Sequence, residues 1–159
     1  MIIFFQEWGP MKVMAAVKLL NALMTLFLIM LAVTFLTLPL LVNKYAEMTG
    51  MNGTNLFWIK GFLYITAIPF AFLLAMAKKL CRNILQDNPF SRSSMKSLYI
   101  ISICAFIDFF LYLIGTLAFK NLLSLTLMIA AFMIGMAGWV LAHLTKLALE
   151  IKEENDLTI

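Results

Sequence analysis

Four long apolar stretches, at 17–42, 56–77, 98–119 and 122–144, occupy most of this 159-residue chain. A helix needs about 20 mainly apolar residues to cross the hydrocarbon of a bilayer, and each stretch reaches that length. A chain in hydrocarbon must satisfy its own backbone hydrogen bonds, which leaves helices or closed barrels. Barrel strands would alternate apolar and polar residues in steps of two, a pattern absent from these stretches. The reading is an all-α, polytopic membrane protein: a four-transmembrane-helix bundle forming one membrane domain over residues 1–159. Composition agrees. Hydrophobic residues make up 64% of the chain and charged residues 13%, with a mean hydropathy of +0.98. Soluble domains run nearer half apolar and a quarter charged. After four spans, too little chain is left for a water-soluble catalytic domain.

The net charge of +4 is informative by location. The loop 78–97 carries Lys78, Lys79, Arg82, Arg92 and Lys96 against a single Asp87. With Lys12, Lys18, Lys146 and Lys152, nine basic residues fall on one side of the membrane. Lys44, Lys60 and Lys120 fall on the other. Basic segments beside spans stay in the cytoplasm, so both termini, the loop 78–97 and the tail 145–159 are expected inside. The first stretch is too long for a removed signal peptide and lacks a small-residue cleavage site. Residues 1–10 admit two readings: an extended start ahead of Met11-Lys12, or an interfacial anchor built from Ile2, Ile3, Phe4, Phe5 and Trp8. Asn52-Gly53-Thr54, formally a glycosylation acceptor, reads as a turn.

Little in the chain suggests catalysis. Cys81 at the cytoplasmic boundary and Cys104 within the third stretch suit neither a disulfide nor a Cys-x-x-Cys redox site. No Ser-His-Asp set, metal cluster or pair of carboxylates lines up at one depth. His143 has no companion ligands, and Trp139 reads as an interfacial belt residue. No enzymatic activity, metal or cofactor is therefore expected. The basic loop has no aromatic platform for direct nucleic-acid binding, so its expected partner is the lipid bilayer.

The helices show where they bend and stop. Pro39 falls near the outer end of the first. Pro69 falls inside the second, where a kink is expected and the freed carbonyl is open to a neighbour or to Thr66. Leu80, Ile84 and Leu85 continue the helical period to about Gln86, and Asp87-Asn88-Pro89 ends it. Ser91 has the chemistry of an N-cap, with Phe90 and Met95 placed as a hydrophobic staple. The fourth helix overruns its span. Leu144, Leu147, Ala148 and Ile151 form one face, and Lys146, Glu150, Glu153 and Glu154 form the other.

Asp108 stands alone in the middle of the third stretch. A carboxylate at the bilayer centre costs roughly 3 kcal/mol on insertion scales, so such residues turn inward and are usually put to use. Ile101, Cys104, Ala105, Asp108, Tyr112, Gly115 and Thr116 share its face. The fourth stretch has a seam of small or slender residues: Ser124, Met128, Ala131, Gly135, Gly138, Ala142 and Thr145. Small residues at such spacing let helices approach closely, which predicts Asp108 near Ala131 and Gly135. Thr66, Tyr64 and Thr34 are its candidate partners, and no cation lies at that depth. A buried carboxyl without a cation favours its neutral form, so Asp108 is expected to carry a proton and donate a hydrogen bond. One reading makes it glue between helices; the other makes Asp108, Tyr112 and Thr66 a proton or cation site of a small carrier or channel subunit.

The chain ends Lys152-Glu153-Glu154-Asn155-Asp156-Leu157-Thr158-Ile159, acidic beside a basic loop. It suits either a solvated helix end folding onto that loop or a docking peptide. This tail, the Asn88-Pro89-Phe90-Ser91 turn and the four-helix architecture resemble the bacterial membrane family called domain of unknown function 2975, over roughly residues 11–159. The resemblance implies the cytoplasmic membrane of a bacterium. Genes of that family commonly neighbour one for a small helix-turn-helix protein, which implies a membrane-linked regulator. On that reading Asn88, Pro89, Phe90 and the residues from Glu153 to Ile159 form the partner surface. Self-association of the chain and protection against a membrane-active peptide are the remaining expectations.

Overall fold

The computed structural model describes residues 10–50, 53–86, 90–120 and 122–156. Both readings of the first residues, the pair Asn88 and Pro89, and Leu157, Thr158 and Ile159 lie outside them, as does the side chain of Asp156. Four helices account for the described chain: α1 (Pro10–Thr49), α2 (Gly53–Leu85), α3 (Arg92–Phe119) and α4 (Leu122–Asp156). No strand occurs among the described residues. Every helix outruns its apolar stretch. The 35 residues of α4 extend about 52 Å at 1.5 Å each, against about 30 Å of hydrocarbon. Its end must therefore project from the membrane.

The helix ends follow from local chemistry. Gly50 closes α1 at φ +64°, a left-handed conformation in which glycine carries no steric penalty. Ser91 caps α3 with extended backbone, its hydroxyl accepting the Ser94 amide at 3.1 Å. Asn83 at the end of α2 then donates to the Ser94 hydroxyl at 3.1 Å, which ties the two helices together across the turn. Phe90 stays 55% exposed, so the cap rests on the serines rather than on a buried staple. Lys120 ends α3 in the left-handed region, its amide bonding the Thr116 carbonyl at 3.0 Å.

The helices pack antiparallel in chain order: α1 on α2, α2 on α3, α3 on α4. α1 packs on neither α3 nor α4, so the bundle is opened out rather than closed. In the most apolar part of α1 only 6% of residues are buried, against 28% in α3. α3 is the central helix. The large apolar side chains point outward along all four helices. In water such a surface would be an interaction or aggregation site; in lipid it is the expected exterior, and close backbone packing rather than grease holds the helices together.

The two prolines are handled differently. Pro39 cannot donate to the Phe35 carbonyl, and the Tyr64 hydroxyl of α2 donates to it instead, at 3.4 Å. The Tyr64 ring meets the Phe35 ring edge-on at 4.6 Å. Thr34, the other residue weighed as a partner of Asp108, donates to Met30; neither it nor Tyr64 serves that carboxyl. Tyr64→Phe keeps the ring contact and removes only the hydrogen bond. It is expected to lower stability by about 0.6–1 kcal/mol, the usual worth of such a bond between membrane helices, as measured by unfolding in mixed micelles. Pro69 leaves the Ile65 carbonyl without its helical donor. Thr66 does not fill that gap as expected, because its hydroxyl donates to Phe62 and Leu63 at 3.1 and 3.2 Å.

Candidate functional site

Close packing sets the register that builds the intramembrane site. A Cβ on Gly115 of α3 would lie 2.4 Å from the ring of Phe62 of α2. One turn further in, the Thr66 side chain meets the Tyr112 phenol, and at the far end Asn83 bonds Ser94. These three contacts share one antiparallel register, which sets Asp108 level with Pro69. Both are buried, Asp108 to 3% exposure. The structure thus brings Thr66 and Tyr112 together and places Asp108 one turn below them, beside the backbone interruption of α2.

Asp108 differs from its expected arrangement in two ways. Its Oδ1 is buried with no hydrogen-bond partner, so the predicted donation is not found at that atom. Nor does the carboxyl own the contact with Gly135. A Cβ on Gly135 would meet the Phe106 ring at 3.2 Å, and the Ser102 hydroxyl donates to the Gly135 carbonyl at 2.8 Å. A Cβ on Gly138 would lie 3.4 Å from the Ser102 backbone nitrogen, and Ala131 is buried on the same line. The physical reason is azimuth. Ser102 and Phe106 stand on the α4 side of α3, whereas Asp108 shares the sector of Gly115, whose neighbour is α2.

Above Thr66 and Tyr112 lies a cavity of about 890 Å³ at the end holding the α1–α2 and α3–α4 turns, with all four helices in its walls. Its polar lining includes Thr66, Tyr112, Ser124 and Lys120. Sequence reasoning passed over Ser102 and Lys120. The signal for Ser102 was its spacing of six from Asp108, which turns it toward the next helix. Lys120 gave no signal beyond its place between two spans.

At the opposite end the tail meets the start of α3. Arg92 Nη2 donates to Glu153 Oε1 at 2.8 Å, with both side chains more than half exposed. Exposed pairs of this kind contribute about 0–1 kcal/mol, so this contact is a light latch. Phe90, Glu153, Glu154 and Asn155 are exposed. Leu144, Leu147 and Ile151 are 56%, 53% and 60% exposed along one side of α4, and no other helix covers them. His143 sits beside Tyr99, Nδ1 to hydroxyl 3.4 Å.

Four apolar helices that bury their small faces and show their large ones outward define a multi-pass α-helical membrane protein. The chain belongs to the family described as "Protein of unknown function (DUF2975)", whose model matches residues 45–159. That match includes the turn before α3 and the acidic tail. The chain is also similar to the uncharacterized membrane protein YoaS of Bacillus subtilis (strain 168). The two are 32% identical over 160 residues, covering 94% of this chain and all of the relative. No solved structure matches the chain. The protein is a multi-pass bacterial membrane protein.

Proposed function

We propose that this is a non-enzymatic regulatory membrane protein that holds a cytoplasmic helix-turn-helix transcription regulator on its projecting end. The surface is the α2–α3 turn together with α4 from Leu144 onward. One observation carries the reading: α4 leaves the membrane with an apolar stripe, Leu144, Leu147 and Ile151, that stays exposed among the described residues. Helices presenting anchors at this spacing dock into apolar grooves of partners. The weak Arg92–Glu153 latch leaves the tail free to exchange that contact for another. The excess of basic residues on this side supports a cytoplasmic location for it.

Two measurements test it. Thiols introduced as Phe90→Cys and Ile151→Cys are expected to label only from the cell interior. Background is low because Cys81 and Cys104 are buried. Labelling of either from outside removes the proposal. Co-expressed with a helix-turn-helix protein of the kind that genes of the family commonly neighbour, the full chain in detergent is expected to retain that partner. Ile151→Glu is expected to weaken retention at least tenfold, since burying one isoleucine is worth roughly 1.5–3 kcal/mol. Undiminished retention in that variant, or in a chain lacking residues 153–159, argues against this surface.

A second reading has its own support. A buried carboxyl with an unpartnered oxygen, level with a proline break and one turn beneath a hydroxyl-floored cavity, has the makings of a proton or cation site in a small carrier. Proton-coupled flux in vesicles that disappears in Asp108→Asn would favour it over the first.

A further inference from the structure

The cavity beside the α3–α4 turn has residues of all four helices in its walls. Val42 of α1 and Leu127 of α4 stand on opposite walls, yet these helices do not pack on each other, so the space between them forms a lateral fissure. Its volume of about 890 Å³ lies in the upper range of small-molecule sites. The two hydroxyls at its floor meet each other, Thr66 against Tyr112, so an apolar occupant strands neither. Lys120 stands at its mouth, exposed and without an ion pair among the described residues. It is also the one non-glycine residue with positive φ among them. A left-handed backbone costs an L-residue about 1–2 kcal/mol, so glycine would be the more stable choice there. From Lys120 to Tyr112 is eight residues of α3, about 12 Å along the helix.

We propose that the fissure holds an anionic phospholipid from the leaflet at this end. Its phosphate sits on the Lys120 ammonium and one acyl chain runs between α1 and α4 down to Tyr112. Three features select this occupant. The side opening admits a molecule already in the bilayer, the apolar walls take a hydrocarbon chain, and the unpaired cation at headgroup depth favours a negative head. Nothing in this site depends on the cytoplasmic partner proposed above.

Native mass spectrometry of the full chain in detergent, offered phosphatidylglycerol or phosphatidylcholine of matched chains, tests it. Phosphatidylglycerol is expected to be retained about fivefold better, the worth of one lysine at an anionic surface. Lys120→Gly, which relaxes the left-handed cap and removes the cation, is expected to erase that preference. Lys44→Gln, a second cation at the same end, is expected to leave it intact. Leu127→Trp fills the fissure and is expected to lower retention of both lipids. Equal retention of the two lipids by the native chain overturns the proposal, as does a preference that survives Lys120→Gly. A stable dimer without bound lipid would put a second copy in the fissure and overturn it too.

Discussion

Asp108→Val is expected to stabilise the protein while disabling its intramembrane site. The carboxyl is buried to 3% exposure and its Oδ1 has no partner. A buried polar atom left unsatisfied costs about 1–3 kcal/mol, and valine, branched and closer in volume to aspartate than leucine is, removes that cost without forcing new bulk into the packing. A gain of about 2 kcal/mol would raise the folded-to-unfolded ratio roughly thirtyfold. It is read from unfolding in mixed micelles followed by far-ultraviolet circular dichroism. Asp108→Asn keeps a buried polar group and is expected to show no such gain. If Asp108 were glue between helices, valine would instead weaken the protein, and that result would refute this account. A gain in stability on losing the carboxyl would match the stability–activity trade-off found at functional sites elsewhere. Under the carrier reading the same variant loses coupled flux.

The opposite sign is expected for Gly138→Leu. Its Cβ position lies 3.4 Å from both the Cβ and the backbone nitrogen of Ser102, so added atoms run into the α3 main chain, which cannot rotate aside. Overpacking of this kind costs typically 1–3 kcal/mol and occasionally more. About 3 kcal/mol is expected here, because moving α3 also strains the Ser102 to Gly135 hydrogen bond. Gly138→Ala, whose single methyl sits at ordinary contact distance, is expected to be nearly neutral. Gly115 offers a contrast. A Cβ there meets the ring of Phe62 rather than backbone, the far end of a side chain that lines the cavity. A leucine at 138 with native stability would show that α3 and α4 do not meet at this seam.

Much of the chain was readable before its fold was known. Length and apolar character of four stretches dictate helices in lipid, because hydrocarbon offers backbone groups no other partner. Ser91, two residues after Pro89, dictates a helix start, and the structure caps α3 with it. The small residues of α4 at 131, 135, 138 and 142 are its buried line, since only such side chains let two backbones approach. What stayed hidden depends on azimuth and register between helices. Periodicity placed Asp108 on an inward face, and the small-residue seam then pointed to α4 as its neighbour, whereas the register sets it beside α2. Pro39 announced a lost donor, but not that Tyr64, 25 residues on, would replace it.

Local chemistry thus determined the membrane class, the helix count and the end caps, because each depends on a residue and its near neighbours in the chain. The open packing order, the fissure beneath Lys120 and the isolation of the Asp108 carboxyl were decided only in three dimensions. They arise from contacts between residues far apart in the chain, such as Phe35 with Tyr64, Ser102 with Gly135 and Phe62 with Gly115, whose distances depend on how neighbouring helices rotate and slide against one another.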